Sequence, residues 1–282
     1  MSQVEYHPKR EVTVIRPARS WELPDLREMW AYRDLLYILS LRDIQIRYKQ
    51  SAIGIMWAVL QPVMTMVVFT LLFGRLAKMP SDGIPYPVFT FVALVPWQLF
   101  QRALTQGSMS MVTLNSMMSK VYFPRLFAPL SSILSGLVDF LVAFAVLLGL
   151  MVWYGVYPGP QIVFLPLLVL LALVSAFAVS LWLSTLNVSY RDVGYALPFL
   201  AQIWMLVTPV VYPVAVVPSE WRWLVMLNPM AGVIEGFRWS LLNRTSPPDL
   251  LLVGISALAM IMLLAGGLLY FNRGQMTYAD RV

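Results

Sequence analysis

The chain contains no cysteine and a single histidine, His7. Disulfides, thiolate nucleophiles and cysteine-type metal sites are therefore excluded, and one imidazole in a polar stretch builds no metal centre by itself. Charge is equally scarce, since Asp, Glu, Lys and Arg together make up 12% of 282 residues. There is no Gly-x-x-x-x-Gly-Lys-Ser/Thr loop to cradle the phosphates of ATP, no Asp-x-Asp pair and no Gly-x-Ser-x-Gly elbow. With no catalytic constellation, the chain is expected not to be an enzyme and to hold no cofactor or metal of its own.

What fills the sequence instead is apolar. Hydrophobic residues reach 59% and the mean hydropathy is +0.72, more than a soluble globule of this size can bury. Several uninterrupted apolar runs of about 20 residues point to a polytopic α-helical membrane protein, whereas a membrane β-barrel would be written in short alternating segments. The net charge of +6 raises the question of nucleic acid, but the basic residues cluster beside apolar runs, where they anchor a chain to anionic lipid and set its topology.

The change of solvent is sharpest around residues 42–62. Arg42, Asp43, Arg47 and Lys49 keep the start of this stretch at the membrane surface, and no charged side chain follows over residues 52–73. At about 1.5 Å per residue that run is roughly 33 Å long, enough to cross a hydrocarbon core of about 30 Å.

Organisation follows from composition. Residues 1–24 form a polar cytoplasmic tail, and the first 50 residues do not show the basic start and apolar core of a cleavable signal. Residues 25–50 are expected to be an interfacial amphipathic helix. It starts over 25–40 at Asp25 as N-cap with Glu28 reaching back, and Leu26, Met29, Trp30, Leu36 and Tyr37 lie on one face. Six spans are expected within residues 51–271, over 52–73, 87–104, 126–153, 162–186, 194–217 and 250–271. Between the last two, residues 218–248 read as a re-entrant or gate helix pair, the second helix capped by Asn228 with Pro229 at its first position. Residues 272–282 are a polar tail. With six spans, fifteen of the twenty basic residues fall on the side of the N-terminus and five on the other, so both termini are expected in the cytoplasm.

Two features inside the apolar runs invite a functional reading. Asp139 is the one carboxylate deep in a span, and intramembrane acids are costly unless they pair or relay protons; a proton relay needs more than one such group, so pairing with Arg102 or a backbone donor is the simpler expectation. Aromatics such as Phe69, Phe73, Phe89, Phe91, Trp97 and Tyr212 crowd the spans. They read either as core packing and interfacial belting or as faces on which sugar rings slide.

Five sequence blocks then carry a resemblance. Arg42-Asp43, Arg47-Tyr48-Lys49-Gln50, Gly54, Trp57-Ala58 and Leu60-Gln61-Pro62 come first. Asn115 with Lys120-Val121-Tyr122-Phe123-Pro124-Arg125, Tyr190-Arg191-Asp192-Val193, Leu227-Asn228-Pro229-Met230 with Glu235-Gly236-Phe237-Arg238, and Tyr278-Ala279-Asp280 follow in order. Together they resemble the permease subunits of bacterial ABC exporters for polysaccharides and polyol phosphates, including O-antigen and teichoic acid exporters. Gln275 and Tyr278 depart from that pattern, so no charged contact is assigned to the tail.

The resemblance implies an all-α membrane protein of the inner membrane with six spans, an N-terminal interface helix, a cytoplasmic coupling helix at about 113–122 and outer gate helices at about 218–248. It also implies a homodimer, two separate ATP-binding-cassette subunits that supply ATP and magnesium, and an undecaprenyl-linked glycan moving between the protomers. Coupling to the ATPase then falls to Asn115, Met117, Met118, Lys120, Tyr190, Arg191 and Asp192. The translocation path is expected along the first, second and fifth spans with Trp57, Gln61, Trp97 and Tyr212, because Gln61-Pro62, Pro96-Trp97-Gln98 and Pro209 to Pro213 are residues a lipid-facing helix has little reason to hold. The gate falls to Asn228, Glu235 and Arg238, the last two a surface pair. A type-2 exporter of lipids or drugs shares the architecture and is the alternative.

Overall fold

A computed structural model describes residues 26–49, 54–118, 120–190, 192–243 and 247–281, with the side chains of residues 116, 118 and 275–281 outside the description. The tail 1–24, the Asp25 cap, Arg191 and the Met118 side chain therefore lie outside the described residues. Every regular element among the described residues is a helix. Among the described residues four helical runs, Met56–Leu76, Phe127–Trp153, Pro160–Ser189 and Leu250–Gly274, are long and apolar enough to cross a bilayer. The chain is a multi-pass membrane protein.

The chain enters through α1 (Leu26–Ala31) and α2 (Arg33–Tyr48). Met29, Tyr32, Leu35, Leu36 and Leu39 turn inward against Phe123, Phe127 and Phe271, a spacing of three and four that keeps them on one helical stripe. The expected face divides, with Met29 and Leu36 packed inward and Leu26, Trp30 and Tyr37 not. Leu39 is 1% exposed, whereas Leu26, Trp30 and Tyr37 are exposed, because the stripe through Leu39 runs unbroken while Arg33 interrupts the other. The helix also continues past residue 40 to Tyr48.

After α3 (Met56–Phe69), with Pro62 inside it, a π-helical stretch spans Thr70–Leu76. The hub of the bundle is α4 (Tyr86–Arg102), whose residues are buried almost throughout against α3, α6 (Phe127–Trp153), α7 (Leu165–Ser189) and α10 (Pro229–Leu241). A second π stretch, Ala103–Gly107, joins α4 to α5 (Ser108–Met118) in one rod. Widening the helix there leaves backbone groups without their usual partners, and Ser180 of α7 donates to the Ala103 carbonyl at 2.9 Å. Gly107 makes this possible, since a Cβ there would collide with Ser180 Oγ. The segment expected as a separate helix at about 113–122 is instead the last turns of this rod, followed by irregular chain from Lys120 to Pro124.

Beyond α7, α8 (Asp192–Val207) is 16 residues long, shorter than the expected 194–217. Pro209 and Pro213 lack the N–H groups a continuing helix needs, and a 3-10 turn, Val214–Val216, follows. The helix pair before the last long helix is present as α9 (Arg222–Met226) and α10, the latter capped as expected, with Asn228 Oδ1 accepting from Met230 N at 3.0 Å. The final helix, α11 (Leu250–Arg281), runs through the expected polar tail.

Candidate functional site

A polar concavity lies where α2, α3, α4 and α6 meet. Asp139, in the middle of α6, accepts from Arg47 Nη1 at 2.8 Å and also pairs with Arg102 and the Tyr48 hydroxyl. Gln106 Oε1 accepts from Arg102 Nε at 3.1 Å and from Arg47. The Arg102 side chain lies along α6 because Gly136 leaves room for it: a Cβ at 136 would sit 3.1 Å from Arg102 Cδ. Burial lowers the Arg47 guanidinium from its ordinary value, an effect that neighbouring Asp43 opposes. An arginine so shifted still stays charged at neutral pH.

These residues form one wall of a cleft of about 260 Å3, whose lining also includes Trp57, Gln61, Gln98 and Gln101. Pairing of Asp139 with Arg102 was legible in the sequence. Arg47, Tyr48 and Gln106 were not, because no sequence spacing says that the end of the interfacial helix folds back onto the middle of α6.

The expected path residues separate into two groups. Trp57 is 52% exposed and shares the cleft with Gln61. Tyr212 is half-buried, its hydroxyl donating to the Val207 carbonyl at 2.8 Å. Trp97, by contrast, is fully buried, with its ring 5.4 Å from that of Phe100. It packs the interior of the helix bundle, as do Phe89 and Phe91. Within the second span Pro96 and Trp97 are buried at the hub of the bundle, whereas Gln98 and Gln101 on the same helix face the cleft.

The gate residues are also differently placed. Arg238 is fully buried and Glu235 nearly so, in place of the expected surface pair. Arg238 Nη1 donates to Glu235 Oε1 at 2.9 Å and to the Tyr212 carbonyl at 3.2 Å, and Nη2 donates to the Val210 carbonyl at 2.8 Å. The side chain thus satisfies carbonyls left open where α8 ends at its prolines. Asn228 adds a second tie, donating to Thr208 Oγ1 at 2.8 Å.

Of the expected coupling residues, Asn115 and Met117 are half-buried, while Lys120, Tyr190 and Asp192 are exposed. Arg42 Nη1 approaches the Met117 sulfur at 3.8 Å, and Tyr122 donates to Glu28 at 3.0 Å. Burial, then Glu28, raises the Tyr122 phenol above its ordinary value, which keeps it a donor. Helices α1 and α2 thus touch the end of α5 and the chain just after it at one end, and the Asp139 cluster at the other. Asn187 of α7 ties the first turn of α8 to the start of α5, accepting from Gly194 N at 3.0 Å and donating to the Ser108 carbonyl at 3.3 Å.

The family model for the ABC-2 type transporter matches residues 34–242, from the start of α2 to the end of α10. The chain belongs to that family. The matched stretch takes in every residue of the cleft and of the Arg238 network. Among known proteins the chain is 30% identical to the O-antigen export system permease protein RfbA of Myxococcus xanthus, over 88% of this chain and 95% of the relative. It is 28% identical to the protein of the same name from Klebsiella pneumoniae, over 88% and 94%. The polysialic acid transport protein KpsM of Escherichia coli is 22% identical over 83% and 92%.

Proposed function

We propose that this chain is the transmembrane permease subunit of an ATP-driven exporter that carries a lipid-linked polysaccharide, O-antigen-like or a related surface glycan, from the cytoplasm across the bacterial inner membrane. The observation that carries the reading is the end-to-end similarity to permeases named for O-antigen export, together with the family match. The absence of a phosphate loop fits an exporter whose ATP and magnesium belong to a separate subunit. Two such ATPases serve a homodimer of this chain.

In this reading α4 and α8 complete a set of six spans. They are 17 and 16 residues long, roughly 24–26 Å of helix at about 1.5 Å per residue, and the chain continues beyond each through the π stretch and the proline-rich turn. Both termini lie in the cytoplasm. Asn115, Met117, Met118 and Lys120, with Tyr190, Arg191 and Asp192, meet the ATPase. Trp57, Gln61 and Tyr212 line the path, with Trp97 packing behind it. Asn228, Glu235 and Arg238 anchor α10 at the outer side, and α9, with Trp221 and Trp223 exposed, forms the outer closure.

The test is a strain lacking this chain. Lipid-linked glycan is expected to accumulate on the cytoplasmic face of the inner membrane while its synthesis continues, and an ATPase is expected to co-purify with the tagged chain. Normal surface glycan in the deletion strain would refute the reading.

A further inference from the structure

We infer that the cleft between α2, α3, α4 and α6 binds a phosphate-bearing lipid headgroup, and that Asp139 holds the anion's place while the cleft is empty. This rests on the exporter reading and adds to it the part of the substrate that this chain grips. Three observations carry it.

The first is charge. The lining contains two cations, Arg47 and Arg102, and one acid, Asp139, so the cleft has a surplus positive charge in a part of the chain where charge is expensive. The second is an unfilled bond. The Arg102 side chain is 10% exposed, its Nε and Nη1 are engaged, and its Nη2 finds no hydrogen-bond partner among the described residues. A buried guanidinium N–H left in this state is costly, and the planar fork matches the bidentate geometry of a phosphate as it does that of a carboxylate. The third is size and lining. A volume of about 260 Å3 falls just below the roughly 300–1,000 Å3 of drug-sized ligand sites. It suits a compact headgroup rather than a length of polymer. Gln61, Gln98 and Gln101 surround it with amides that hydrogen-bond phosphate or sugar oxygens, and Trp57 gives an aromatic edge.

The single carboxylate of Asp139 is shared among Arg47, Arg102 and Tyr48. A phosphate offers more acceptor oxygens and up to twice the charge, so it takes over Arg47 and draws the buried, unpartnered Nη2 of Arg102 into a bond, and Asp139 keeps what remains. Asp139 is therefore a competitor of the ligand as well as a structural partner of the arginines. This gives the substitutions opposite signs.

The test uses the full chain in complex with its ATPase, in neutral detergent, titrated calorimetrically with farnesyl diphosphate, inorganic pyrophosphate and phosphatidylglycerol. Arg102→Gln is expected to weaken farnesyl diphosphate binding about tenfold or more, and Asp139→Asn to tighten it. If Arg102→Gln does not assemble, Arg47→Gln carries the same expectation, and thermal melting of each complex reports its fold. Preference for farnesyl diphosphate over phosphatidylglycerol places a substrate-like headgroup in the cleft, and equal affinity places membrane phospholipid there; both support a phosphate site. Binding unchanged by both arginine substitutions, or weakened by Asp139→Asn in a complex that melts normally, overturns the proposal. An exporter with such unchanged binding keeps its function and loses this site. A chain that binds through these arginines in a strain whose surface glycan survives its deletion keeps the site and loses the function.

Discussion

The guanidinium carbon of Arg238 lies 3.8 Å from the centroid of the Phe89 ring. Through that contact, and through the carbonyls of Val210 and Tyr212, α10 is fastened to the hub helix α4 and to the proline-broken end of α8. Any movement of the helix pair before the last span must therefore spare α10 or break a desolvated network.

Removing one partner of a buried pair leaves the other charge uncompensated. Arg238→Ala is expected to cost about 3–5 kcal/mol of stability, read as a fall in melting temperature of the detergent-solubilised protein. The double substitution Glu235→Gln with Arg238→Met leaves no unpaired charge, so it should recover part of the loss. A single Arg238→Ala variant that melts like the parent would show that the network does not hold α10.

Trp57 and Trp97 should part company under the same substitution. Trp97→Ala empties a fully buried site and is expected to cost about 3–5 kcal/mol. Trp57 is half exposed, so Trp57→Ala should leave melting within about 0.5 kcal/mol and slow export. The opposite pattern would mean that the aromatic on the cleft is structural and the buried one functional.

The π stretch gives a steric prediction. Gly107→Ala pushes a methyl group onto Ser180 Oγ and should cost about 1–3 kcal/mol. Combining it with Ser180→Gly removes the collision but leaves the Ala103 carbonyl without its donor, so recovery should be incomplete. Full tolerance of Gly107→Ala would argue that the rod relaxes there.

Lys120 is exposed just past the end of α5. Lys120→Glu should change melting by no more than about 0.5 kcal/mol, yet reduce the amount of ATPase that co-purifies. Unchanged co-purification with unchanged export would remove this segment from the coupling surface.

Much of the fold was legible because membrane helices announce themselves by length and hydropathy. The long helices over 126–153 and 162–186 were found within a few residues, and the Asn228-Pro229 start of α10 was read from local cap chemistry alone. What failed were inferences from polarity to exposure. Pro96, Trp97 and Gln98 looked alike because a lipid-facing helix has no use for them, but the centre of a helix bundle is a third environment: Pro96 and Trp97 are buried in it, whereas Gln98 lines the cleft. Glu235 and Arg238 looked like a surface pair because they are three residues apart on one helix; the carbonyls that accept from the buried arginine come from just past the end of α8, 26 and 28 residues earlier, where no local pattern reports them. Arg47 and Asp139 were each conspicuous, but their meeting depends on the angle at which α2 returns to α6.

The most direct measurement of the central claim is translocation itself. Inside-out membrane vesicles containing this chain and its ATPase are loaded on their outer, cytoplasmic face with lipid-linked glycan, and ATP is added. The account predicts that glycan becomes protected from an added glycosidase, that protection requires hydrolysable ATP, and that vesicles lacking this chain show none. Glycan that stays fully accessible in the presence of ATP and an assembled complex, or that becomes protected without this chain, would contradict it.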